Sequence, residues 1–180
     1  MSYQLIETKT LASATTEIAF TSIPQDATDL LALVSVRSAD TSAFERLSVR
    51  FNSDSGTNYS SRFLYGDGGS AFSSNRTGAN LFSLEAGVQG TNSTSNTFSN
   101  GSLYIPNYTS SVAKSLSSDS VVENNGASAG LAITAGLWNN TAAITSISFS
   151  YFIGAANLVA GCTISLYKIT KGSSGGVVVS

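Results

Sequence analysis

The groups with which this 180-residue chain could do chemistry are eleven carboxylates and one thiol, Cys162, with no histidine. Without histidine there is no Ser-His-Asp triad, no Cys-His dyad and no imidazole metal ligand. One cysteine cannot build a disulfide framework, a Cys-rich zinc site or an iron–sulfur ligand set. A carboxylate pair such as Asp54 with Asp67 could in principle cleave glycosidic bonds if held ~5–10 Å apart, but nothing in the sequence selects a pair. The stretch Asn52-Ser53-Asp54-Ser55-Gly56-Thr57-Asn58 is oxygen-rich like a calcium loop. Its glycine falls one position early and no Glu closes it, so a hairpin turn is expected. Gly66-Asp67-Gly68-Gly69 lacks the Lys-Ser/Thr of a phosphate loop. No catalytic residue, metal or cofactor is expected, and the chain is read as a non-enzyme.

Residues suited to binding are a second group. Trp138, Tyr59, Tyr65 and Tyr108 could stack on sugar rings if exposed; Trp138, at a strand end, is rather expected half-buried at the rim of the sandwich. Arg46 and Arg50 share one strand face, with Arg62 expected nearby across a hairpin. They could pair with carboxylates of a neighbouring chain or form a solvated face. Residues 172–176 form a Gly/Ser spacer ahead of Val177, Val178 and Val179. Three β-branched residues there could add to a sheet edge of another chain.

The scaffold holding these groups is uncharged and β-prone. Only 11% of residues are charged while 42% are hydrophobic, and nine Lys+Arg against eleven Asp+Glu leave a net charge of −2. The polar content is instead 33 Ser and 18 Thr. Nine scattered cations make a poor nucleic-acid binder, so no nucleic-acid partner is expected. The N-terminus lacks a cationic start and apolar run, and the longest apolar stretch, residues 30–34, is too short for a bilayer; no signal peptide and no membrane partner are expected. Six Asn-X-Ser/Thr sequons fit the composition and are not read as glycosylation sites.

Alternation with period 2 recurs, bounded by Gly, Asn and Ser clusters. Leu47, Val49 and Phe51 share one face; so do Leu131, Ile133, Ala135 and Leu137; so do Ile147 with Phe149, and Cys162 with Ile164 and Leu166. Leu47, Val49, Phe51, Ile133, Leu137, Ile147, Phe149, Ile164 and Leu166 are therefore expected in the core, with Cys162 a buried hydrophobe. Residues 29–37 read as a central strand covered on both faces. Ten or eleven strands are expected, with residues 66–79 a flexible connection. The fold expected is an all-β, antiparallel two-sheet β-sandwich, one domain over residues 1–170 with a tail at 171–180.

Several segments in order carry a resemblance: Leu11-Ala12-Ser13-Ala14-Thr15, Ile23-Pro24-Gln25, Arg50-Phe51-Asn52-Ser53-Asp54-Ser55-Gly56-Thr57-Asn58-Tyr59-Ser60, Ile105-Pro106-Asn107-Tyr108-Thr109, Trp138-Asn139-Asn140-Thr141, and Ser165-Leu166-Tyr167-Lys168-Ile169. Together they resemble a β-sandwich module of tailed bacteriophages, cyanophages among them. The resemblance implies a jelly-roll-like virion structural protein without catalytic residues. It implies a capsid decoration (cement) protein on the capsid exterior, bound to the major capsid protein and expected as a homotrimer. The alternative it implies is a tail-fibre or base-plate domain that binds host surface glycans. The module starts at residue 1 with no fibre shaft attached, which favours decoration.

Overall fold

A computed structural model describes residues 2–152 and 156–171. Twelve strands are β1 Ser2–Thr10, β2 Glu17–Phe20, β3 Asp29–Ser35, β4 Phe44–Phe51, β5 Tyr59–Gly66, β6 Ala71–Ala79, β7 Phe82–Gln89, β8 Asn100–Ile105, β9 Lys114–Val122, β10 Gly130–Trp138, β11 Ile147–Tyr151 and β12 Thr163–Thr170. No helix occurs among the described residues. The strands form two antiparallel sheets, an eight-stranded one ordered β1-β12-β3-β8-β9-β10-β5-β6 and a four-stranded one ordered β2-β11-β4-β7. The architecture is an all-β sandwich.

Alternation sets which residues meet between the sheets. In β4 and β11, Leu47, Val49, Phe51, Ile147 and Phe149 point inward; from β12 opposite, Ile164 and Leu166 join them, and all seven are fully buried. Cys162 is buried in the same core. Burial pushes its thiol pKa up, away from the reactive thiolate.

Four expectations are corrected. Residues 71–79 are not a loose connection but β6, an edge strand paired to β5 and exposed along nearly its whole length. It carries no apolar period; pairing to β5 creates it, helped by Phe72 stacking on Tyr65 and Arg76 pairing with Glu85. β3 is central in its sheet, yet only its inner face is covered, and Leu33 stands outside at 44% exposure. β4 and β5 are not a hairpin; they lie in different sheets, which separates Arg62 from Arg46 and Arg50.

The fourth correction is β10, whose faces are the reverse of expectation. Ala132, Thr134, Gly136 and Trp138 point inward, while Leu131 and Ile133 point out and Leu137 is half-exposed. The cause is β7, which packs across β10, β9 and β5. A Cβ at Gly136 would lie 2.7 Å from Leu116 Cδ1 and 2.8 Å from Phe82 Cδ2. The inner face of β10 must be small to admit Phe82, and Trp138 fills the space beyond. A one-residue slip would bury the aliphatics but drive Trp138 outward and close this approach.

Candidate functional site

Three of the four candidate sugar-stacking residues belong to the core. Trp138, Tyr59 and Tyr108 are at most 1% exposed. Tyr59 and Trp138 stack at 6.5 Å with Phe51 against both, and Tyr108 donates its hydroxyl proton to the Pro24 carbonyl. Tyr108 is held by segments around Pro24, Thr28 and Ile144, whereas the loop after β4 contacts Trp138 and Tyr59. Asp54 ties that loop down: Oδ2 accepts the Trp138 indole N–H at 2.7 Å and the Asn58 amide at 2.9 Å, and Oδ1 accepts the Gly56 N–H at 2.8 Å. The Trp138 bond is the leading reason its carboxyl sits below the usual range. The loop spends its carboxylate on the tryptophan, in keeping with a structural turn. Among the described residues no group of three or more Cys, Asp or Glu is placed to hold a metal.

Tyr65 and Arg46 do come together. They line a groove of about 280 Å³ at one margin of the sandwich, with Phe44, Phe63, Phe72, Arg76 and Glu85. Phe44, Tyr65 and Phe72 form a ladder with centroids 6.0 Å apart at each step. Arg76 makes a two-pronged ion pair with the buried Glu85 and lies 4.7 Å from the Phe63 centroid. Glu85 reaches the pair through a bulge in β7, where Ala86 adopts φ 49° and the register against β4 shifts. Arg46 lies 3.5 Å from the Phe152 centroid and 3.6 Å from Glu45. Arg50, on the same outward side of β4, donates to the Asn80 carbonyl at 3.2 Å. Both arginines thus have partners within the chain.

The larger feature was not foreseen. An open groove of about 720 Å³ runs over the outer face of β9, β10, β5 and β6. Register fixes its rows. Asp119, Ile133, Leu64 and Ser73 stand side by side across the four strands, and Ser117, Ala135, Arg62 and Asn75 form the next row. Leu131 beside Val121 forms a third. Leu64, Leu131 and Ile133 are each 55–57% exposed, with Ser117, Ser73 and Asn75 as outward neighbours in the first two rows. Single exposed aliphatics are ordinary, but a contiguous cluster marks an interaction surface. Arg62 and Asp119 lie on opposite sides of β10, and neither has an ion-pair partner among the described residues. Asp119 accepts the Ser102 hydroxyl, and Arg62 has only a 3.4 Å contact with the Ser61 carbonyl.

Val177, Val178 and Val179 lie outside the described residues. No protein-family model matches the chain, and no curated protein matches it.

Proposed function

We propose that this chain is a non-enzymatic structural protein of a tailed-phage virion, a decoration protein that binds the outside of the major capsid shell as a homo-oligomer. The observation that carries the reading, beside the sequence resemblance, is strand order. With β5, β6, β9 and β10 set aside, the sheets reduce to β1-β12-β3-β8 and β2-β11-β4-β7. On this reading they are the two four-stranded layers of an eight-stranded jelly roll, an architecture common in virus shells and lectins. The four remaining strands are two hairpins that widen one layer, and they bear the outer groove. Decoration works through many copies whose modest contacts add by multivalency, and an exposed aliphatic cluster on the outer face suits such contacts. A trimer is the form that local threefold sites favour.

A second reading, a fibre or base-plate domain that holds host glycans, is favoured by the aromatic ladder at Tyr65 and Phe72. It loses Trp138, Tyr59 and Tyr108 as contacts, since all three are buried. Quantitative mass spectrometry of purified virions separates the readings. Decoration requires hundreds of copies per particle; tens or fewer would support the fibre, and absence from the particle would end both.

A further inference from the structure

We propose that the outer face of β9, β10 and β5 binds a second copy of this chain through a two-fold contact. The inference rests on the reading of the chain as an assembly protein but not on the virion. The face needs a cover because its centre is aliphatic: Leu64, Leu131 and Ile133 stand out from it, more than half exposed. Its charges say what covers it. Arg62 lies on β5 in one row and Asp119 on β9 in the next, with β10 between them. At ~4.8 Å per strand and ~6.8 Å per two residues, their Cα atoms are roughly 12 Å apart, and the two form no ion pair across the Ile133–Ala135 ridge.

A two-fold axis in the plane of contact closes it twice. Set across β10 between Ile133 and Ala135, at right angles to the line from Arg62 to Asp119, it carries each Arg62 over the Asp119 of the other copy. The same rotation brings Leu64 of each copy over the Ile133–Leu131 ridge of the other. The strands then cross steeply, toward the orthogonal mode of sheet packing. A partner of one charge sign would leave either Arg62 or Asp119 against a like charge or bare apolar surface; a second copy satisfies both, as an isologous contact does. Three strands by about six residues give a face of roughly 300 Å² in projection. Standard interfaces bury ~800 Å² per partner, so the contact is expected to be concentration-dependent, in the micromolar range. It joins two free protomers or two protomers of neighbouring trimers.

Sedimentation equilibrium on the full chain, from micromolar to near-millimolar concentration, tests it. Association should appear with rising concentration and vanish in the double variant Leu64→Ser/Ile133→Ser, whose altered side chains lie outside the core. Arg62→Asp should weaken association about three- to tenfold, and Arg62→Asp with Asp119→Arg should restore it. A chain that stays monomeric throughout overturns the inference. So does an oligomer that ignores the aliphatic variant, or a charge swap that fails to recover what the single reversal lost. Virion copy number is independent of these results, so failure here leaves the capsid reading standing, and the reverse holds too.

Discussion

The Trp138 indole donates to Asp54 Oδ2 at 2.7 Å, linking a fully buried residue of the eight-stranded sheet to the turn that follows β4 in the other sheet. Together with the Phe51 N–H, which donates to the Tyr59 hydroxyl at 3.1 Å, it joins the two layers at that end of the core.

Removing the acceptor leaves a buried N–H unpaired. Asp54→Ala should cost about 1–3 kcal/mol, read as a lowered urea midpoint at unchanged slope. The carboxyl is held below its ordinary value of 3.8, chiefly by the Trp138 bond. A depressed native pKa gives stability that is present above the unfolded value and lost as pH falls through the native one. The gap between wild type and Asp54→Asn should therefore be largest near neutrality and shrink below about pH 4. A gap that widens in acid would show that the carboxylate is not the stabilising form.

High pH probes the same corner from the other side. Burial raises the Tyr59 pKa to about 12, and Tyr151 likewise rises to about 12. Between the unfolded value of 10 and about 12, the unfolded chain binds fewer protons, so stability should fall as pH rises above 10. Tyr59→Phe should make that fall shallower without abolishing it, because Tyr151 remains. Thermal melts across pH 8 to 11 would reveal a difference; identical slopes would place the Tyr59 hydroxyl in water.

Ala86 occupies the left-handed region at φ 49° in the β7 bulge, a conformation costing an L-residue roughly 1–2 kcal/mol. Ala86→Gly should stabilise the chain by about 0.5–1 kcal/mol, since glycine's larger unfolded entropy offsets part of the relief. A lower melting temperature would mean that the lost methyl packing outweighs the strain.

β10 offers a contrast between adjacent faces. Gly136→Val would push into Phe82 and Leu116 and should cost at least about 1–3 kcal/mol. Ile133→Thr, on the outer face, should stay within roughly 0.5 kcal/mol of wild type in dilute solution. Equal losses at the two positions would contradict the orientation of the strand.

Most of the sandwich is legible in the sequence because most strands have one large-residue face, as β4 and β11 do. β10 misleads because burial there is decided by what packs on it. Leu131, Ile133 and Leu137 look like the core face, but β7 packs on the other one, with Ala132 clustered with Ala86 and Gly136 facing Phe82. Trp138, in step with the small residues, is the one sign of the true face. The outer groove was hidden for the same reason: inverting β10 turns its aliphatics into surface. It also needs β6, whose strand character comes from pairing with β5 and not from apolar spacing. Tyr59, Tyr108 and Trp138 are legible as aromatics but not as core, since loops contact them: the Asp54 turn at Tyr59 and Trp138, and the segments around Pro24 and Ile144 at Tyr108.

That the aliphatic row of β10 faces outward and is covered on assembly can be read from two single-cysteine probes. Cys162 is buried, so thiol labelling of Ile133→Cys and Thr134→Cys starts from a silent background. The thiol at position 133 should label rapidly in dilute protein and slow markedly as concentration rises into the associating range, while the thiol at 134 stays protected at every concentration. Faster labelling at 134 than at 133, or a rate at 133 indifferent to concentration, would contradict it.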